Sequence, residues 1–350
     1  MTTILPQSSW SSKLLQFTVA LTPSLVTNQI NTFTTAAGAP DQGVYDTVTF
    51  PFLRSSARIT NSGTVAGTTG HFRIWGLTLS QMYQLATLGI AYNILPYNFL
   101  TVLAGDAVSG LTTLFTGTIR NAYCDFEAQP NTPFMIDCVT GAAPGQDLAS
   151  VGDWLAPTPA SFPGTPTIVS MMTGFARQLN FSFKNGGVNT TQTASNPYYP
   201  GTVQQQARKC AEDNGIEVSL NNLEMIIYPK GSMINNISAP IISAKTGMIG
   251  YPMFLTQGVV VKTLFNPAIV RGGPVQIGSS VLLGTLAAIA KQNVGNPAYV
   301  PPTLSGENSI WTVYKIDHAL DSQMPDGQWM STVYCYNNLN RDQNVPPTNL

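Results

Sequence analysis

Charge is what this chain has least of. Asp, Glu, Lys and Arg together make up 9% of its 350 residues, against about a quarter in an ordinary soluble protein. Apolar residues hold a normal 43%, so Thr, Ser, Asn, Gln, Gly and Pro stand where charge is missing. A free monomer usually stays soluble through an interspersed charged surface and a net charge away from zero. This chain has a net charge of −1 and few charges of either sign. Its surface is therefore expected to be covered by other subunits, which points to an assembly component. The near-neutral balance also argues against a dedicated nucleic-acid binder, which would carry a basic stripe over a whole face.

Other absences narrow the field. No uninterrupted apolar run reaches the roughly 20 residues of a membrane-spanning helix, and mean hydropathy is only +0.08, so stable membrane insertion is not expected. The opening MTTILPQSSWSSK has no basic region ahead of an apolar segment; a secretory signal is not expected, and a soluble cytoplasmic product is. Four cysteines are present, none in a C-x-x-C pair or beside a histidine, so a zinc site lacks support. No G-x-S-x-G elbow, G-x-x-x-x-G-K-[ST] loop or G-x-G-x-x-G turn occurs, which leaves hydrolase and nucleotide readings without their usual marks. No cofactor and no metal are expected.

The residues that could still carry chemistry are few. His71 and His318 each fall in an expected strand, with no nucleophile or second histidine at a ligand spacing, and a structural or surface role is expected for both. Asp125, Glu127 and Asp137 lie near one expected hairpin, and Asp317 and Asp321 flank His318. Strand alternation would put Asp125 and Glu127 on one face, as an acid/base pair or a metal would need. Pairing with Arg120, or protection of an edge strand, is the expectation instead.

Along the chain, residues 1–155 read as mainly β. Strands are expected at Leu14–Leu21, Val44–Phe52, Ala57–Asn61 and His71–Leu77, separated by Gly, Ser and Asn clusters. Thr78 and Gln81 match a capping box, opening a helix with Leu79, Met82, Leu85 and Ala86 on one face and Gly89 as its stop. A hairpin follows, Leu114–Ala128 against Phe134–Val139 around QPNTP. Cys124 and Cys138 are equidistant from Asn131, so they could face each other; geometry would allow a disulfide, but two reduced thiols are expected in the cytoplasm.

Residues 150–166 read as a Pro, Gly and Ser-rich linker. An α+β segment of residues 156–235 begins with Ile168, Met171, Met172, Phe175 and Leu179 in helical rhythm. It continues with a strand from Phe181, a hairpin-type turn at Asn185-Gly186, and a helix capped by Thr202 and Gln205. Val203, Ala207, Cys210 and Ala211 face inward along that helix, and Asn214-Gly215 ends it. Two strands, IEVSL and LEMIIYP, close the unit. Residues 236–350 return to β, with strands at Gly258–Leu264, Pro274–Ile277 and Trp311–Leu320. Tyr314, Ile316 and Leu320 are expected on one side, and Pro325-Asp326-Gly327 turns the chain into Gln328–Tyr336. Leu282–Pro302 reads as a long loop or insertion, with a short helix at residues 284–290.

The stretches GMIGYPMFLTQGVVVKTLFNPAIVRGGPVQI and WTVYKIDHALDSQMPDGQWMSTVYCY resemble the central baseplate hub proteins of contractile-tailed bacteriophages. FRIWGLTLSQMYQLATLG and NPYYPGTVQQQARKCAEDNGIEVSLNNLEMIIYPKG fit the same family in the same order. The resemblance implies two antiparallel β-barrel-like domains, residues 1–155 and 236–350, flanking the smaller α+β domain. It also implies a homotrimer whose six barrels form a ring, matching a hexameric tail tube protein on one face and a trimeric central spike protein on the other. Other baseplate proteins would be neighbours, and the place of action would be the virion tail, assembled in the host cytoplasm.

Val259, Val261, Thr263, Trp311 and Val313 are the candidate barrel-wall or inter-subunit positions. Two readings stand beside the structural one. A carbohydrate-binding, adhesin-like β protein would stack sugars on accessible aromatics, whereas a hub would bury Trp75, Trp311 and Trp329. A wall hydrolase would use Asp125 and Glu127.

Overall fold

Alternating apolar side chains drive the first part of the chain into strands. In β1 (Lys13–Leu21) Leu15, Phe17 and Val19 share one face and are fully buried, the period of two that a half-buried strand requires. The computed structural model describes residues 11–21, 46–62, 68–86, 98–140, 159–179, 181–222, 224–235, 237–255, 258–278 and 310–337. The Gly89 helix stop, most of the 150–166 linker and the 282–302 loop with its short helix lie outside them.

β1 is joined by β2 (Asp46–Pro51), β3 (Ser55–Asn61), β4 (Thr68–Ile74), β5 (Phe99–Asp106), β6 (Gly110–Cys124) and β7 (Phe134–Val139). They pair antiparallel in the order β3-β4-β7-β6-β5-β1-β2. Between β4 and β5 lies α1 (Leu79–Leu85), which opens with the expected capping box: Gln81 N–H donates to the Thr78 hydroxyl and the Gln81 side chain accepts from Thr78 N–H. Met82 and Leu85 are buried, but Leu79 is exposed. Residues three and four apart share a face, and Leu79 sits on the margin of the buried stripe, over exposed Tyr83.

The inserted segment holds β8 (Ala160–Ser161), α2 (Ile168–Gln178), β9 (Ser182–Asn185), β10 (Tyr198–Tyr199), α3 (Val203–Asp213), β11 (Ile216–Asn221) and β12 (Glu224–Pro229). Ile168, Met171, Met172, Phe175 and Leu179 all enter one core with Val203, Ala207, Cys210 and Ala211. The sheet order is β11-β12-β9, and β9 runs parallel to β12. Asn185-Gly186 is therefore not a hairpin turn. The Asn185 side chain instead accepts from the N–H groups of Gly187 and Val188, a local turn that satisfies both amides as the chain leaves β9.

The last strands are β13 (Ile241–Ile242), β14 (Met248–Leu255), β15 (Gly258–Leu264), β16 (Pro274–Ile277), β17 (Ile310–Ser322) and β18 (Trp329–Asn337). They do not stand apart from the first seven. The start of β17 pairs with β16, its end pairs with β3, and β18 lies along its other side. One sheet thus runs β14-β15-β18-β17-β3-β4-β7-β6-β5-β1-β2. At the far end Ser322 donates to the Lys13 carbonyl at 2.9 Å, bringing β17 against β1.

β17 feeds two buried clusters. Trp311, Val313 and Ile316 pack with Val259, Val261 and Val333, while Leu320 packs with Phe17, Phe72 and Phe115. The register steps from Val313↔Cys335 to Lys315↔Tyr334, leaving Tyr314 as a bulge. An extra residue shifts the alternation by one, so the inward positions change from odd to even numbers. Tyr314 consequently leaves the side of Ile316 and Leu320, where alternation placed it, and lies with Tyr334 and Tyr336 at ring separations of 6.1 and 6.2 Å. Arg271 ties the insert to this region, donating to the carbonyls of Tyr314 and Val218 at 3.1 and 3.3 Å.

Candidate assembly surface

The groups that might have done chemistry are spent on structure. His71 on β4 lies 2.7 Å from the Asp137 carboxylate on the neighbouring β7, an exposed cross-strand pair. His318 on β17 is 2.8 Å from the Ser331 hydroxyl and meets Phe265 edge-on at 5.6 Å. Burial pushes its imidazole down to about 4, against the pull of the Asp317 charge. Asp125 and Glu127 do not share a strand face, because β6 ends at Cys124. Asp125 instead caps a single 3-10 turn, Phe126–Ala128, and accepts from Glu127 N–H at 3.2 Å.

That turn also displaces the cysteines. It lengthens the β6 side of the connection, so Cys124 lies opposite Phe134 and Cys138 opposite Ile119. Both are free thiols, as are Cys210 and Cys335, and burial raises all four above the ordinary thiol range. Among the described residues no group of three or more His, Cys, Asp or Glu could hold a metal ion.

The three tryptophans Trp75, Trp311 and Trp329 do not form an exposed platform. Trp311 and Trp329 are buried. Trp75 is half-buried, with the Arg54 guanidinium 5.1 Å above its ring and its own N–H donated to the Asn131 carbonyl.

Val259, Val261 and Thr263 alternate along the inner face of β15, and Trp311 and Val313 lie on β17. All five are at most 2% exposed within a single subunit. Thr263 satisfies its hydroxyl on the Gly247 carbonyl at 3.2 Å. Among the described residues the Trp311 N–H has no hydrogen-bond partner. These side chains are part of the interior of the single subunit.

Exposed apolar side chains gather instead on β14, a strand that is not among those expected from the sequence. It pairs with β15 and, among the described residues, with no other strand, which puts it at one end of the main strand path, with β2 at the other end and β13 at the end of a side branch through β16. Ile249, Tyr251, Met253 and Leu255 are spaced by two and are 37%, 83%, 63% and 49% exposed. Solvent-facing positions of an edge strand usually carry charge; the eight residues of β14, MIGYPMFL, carry none. Residues 250–252 bulge opposite Val261, with Gly250 at φ +71 and Pro252 unable to donate. Proline inside a strand is itself an edge signal, and with the alternation 249/251/253/255 it is the clue the sequence offers.

The apolar character continues inward on the same face. Met253 is opposite Val260, which is opposite Tyr334, and Tyr334 packs on Tyr314. Lys315 sits 4.8 Å above the Tyr334 ring and pairs with Asp317 at 3.0 Å. This is a broad face of aliphatic and tyrosine side chains with little charge, of the composition that protein contacts favour.

The baseplate hub gp41 family model matches residues 75–282. No curated protein matches the chain. Among solved structures, the 43 kDa tail protein of prophage MuSo2 from Shewanella oneidensis is similar at 7% identity and a TM-score of 0.50, over 93% of this chain and 98% of that one. A chain of the lidded Francisella PdpA-VgrG complex is similar at 8% identity and a TM-score of 0.53. The match covers 98% of this chain and 55% of that longer one.

Proposed function

Since this chain belongs to the baseplate hub gp41 family, we propose that it is the trimeric hub that joins a hexameric tail tube to a trimeric central spike and nucleates the tube. The part is structural: a ring presents one face to the tube and the other to the spike, and catalysis is not required of it. The two outer β regions, about 1–155 and 236–350, supply two barrel-like units per chain, so three copies offer six positions to a six-fold tube. Closed symmetry demands equivalent contacts, and a three-fold body meets a six-fold one only by presenting similar surfaces twice.

The observation that carries this reading is the exposed apolar strand β14 on a chain of net charge −1. A free subunit with such a surface would aggregate; a ring component covers it. Native mass spectrometry of the purified chain, alone and with its candidate spike protein, tests the reading. A trimer, or a monomer that trimerises on adding the spike, is expected. A strict monomer indifferent to the spike would overturn it.

A further inference from the structure

We propose that the crevice between the start of β1, β14 and the β17–β18 turn is a docking site for the chain's own residues 1–10, which strap the first β region to the last. The inference does not depend on how many copies assemble.

The crevice measures about 550 Å³, within the roughly 300–1,000 Å³ of pockets that enclose a bound group. Ile249 on β14, Leu264 on β15, and Trp329 and Met330 on β18 give it an apolar side, and Met324 and Pro325 in the turn add to it. Asp326 and Gln328, which also line it, are exposed. Ser12 and Lys13 complete the lining. Elements distant in sequence thus meet around one gap, and one of them is the chain on its way into β1.

β1 starts at the crevice with Lys13 and ends at Leu21, so the residues ahead of Ser11 join it from the crevice end. Neither neighbouring strand extends past that start. The ladder with β5 stops at Lys13↔Asp106, where β5 turns into its hairpin, and the ladder with β2 stops at Gln16↔Pro51. What lies beside Lys13 is the end of β17: Ser322 Oγ donates to the Lys13 carbonyl at 2.9 Å. The Lys13 ammonium donates in turn to the Ser11 hydroxyl at 3.2 Å. Position 10 is one peptide further, its Cα about 3.8 Å from that of Ser11.

That tether decides the occupant. A segment joined to the wall of a site competes for it at an effective concentration of about millimolar, above that of any free peptide of similar affinity. The segment MTTILPQSSW also suits an apolar gap: it offers Ile4, Leu5 and Trp10 and has no charged side chain, so no charge is buried with it. Trp10 is the anchor, because a large aromatic brings the most apolar area per residue.

The test puts a photo-crosslinking amino acid in place of Trp10 in the full-length chain and maps the product by peptide mass spectrometry. A crosslink to Ile249, Leu264 or residues 324–330 is expected, in a product that runs at single-chain mass on a denaturing gel. No crosslink, one landing elsewhere, or a product of doubled mass overturns the inference. As a second measure, Ile249→Lys puts a charge on the apolar side, at an edge-strand position that tolerates lysine. Amide hydrogen exchange in residues 2–10 is expected to quicken at least about tenfold while α2 keeps its protection. Unchanged exchange in residues 2–10 would overturn the inference.

Discussion

Arg58 on β3 and Asp321 on β17 meet through two parallel N–H···O bonds of 2.7 and 3.0 Å. They hold the seam where the first and last parts of the chain share one sheet. The Asp321 carboxylate also accepts from Gln328 N–H at 2.9 Å, so a single side chain fixes both β3 and the turn into β18. Burial would raise this carboxyl, but hydrogen bonds from Arg58, Ser56 and Gln328 and the Arg58 charge together outweigh it and hold it below the usual range.

Asp321→Asn is expected to destabilise the chain by about 2 kcal/mol. That is less than the roughly 3–5 of a fully buried broken pair, because the Arg58 side chain is 44% exposed and can rehydrate. Urea denaturation checks it. Since the folded carboxyl lies below its unfolded value, the stabilisation is complete above about pH 4 and is lost as pH falls through the lowered folded value. The variant and the wild type should therefore converge in strong acid.

His318 gives a second, separable pH dependence. Its imidazole is held at about 4 in the fold against an ordinary 6.5, so between these values the unfolded chain binds a proton that the folded chain refuses. Stability is full above the upper value and falls as pH drops through the window. The loss is at most about 3 kcal/mol, at roughly 1.4 kcal/mol per unit of displacement. His318→Gln should flatten the melting temperature against pH in this window; a slope equal to the wild type would count against the assignment.

Two glycine substitutions should move stability in opposite directions. At Gly258 an added Cβ would lie 1.9 Å from the Cys335 carbonyl oxygen, so Gly258→Ala must push β15 away from β18, at a cost of about 3 kcal/mol. At Gly174, inside α2, a Cβ meets nothing within 4 Å, and Gly174→Ala should stabilise by about 0.5–1 kcal/mol through helix propensity. Thermal melts of the two variants, in parallel, decide this.

Local rules can be read from the sequence and distant ones cannot. Both capping boxes, at Thr78 and Thr202, depend on residues three apart and stand as expected; so does the apolar face of α2. The mainly β class with an α+β insert is likewise legible in the alternation. The pairing of β17 with β3 joins Leu320 to Ala57 and leaves no trace in either segment alone. Irregularities account for the rest. The bulge at Tyr314 turns a tyrosine to the outer face, and the turn after Cys124 moves Asp125 and Glu127 out of a strand. The exposed apolar strand β14 is hard to see in advance because buried strand positions such as Val259 and Val261 have the stronger β pattern.

β17 belongs to both halves of the sheet, and this has a mechanical consequence. Two bodies joined by a linker absorb a push by swinging about it. Two bodies that share a strand have no such joint. A load applied near Trp311 reaches Leu320 along one backbone, and the hydrogen bonds to β3, β16 and β18 resist it in shear, all at once. The Arg58–Asp321 pair acts there as a rivet across the same seam. A thrust entering on one half therefore passes to the other along one continuous, laterally bonded strand.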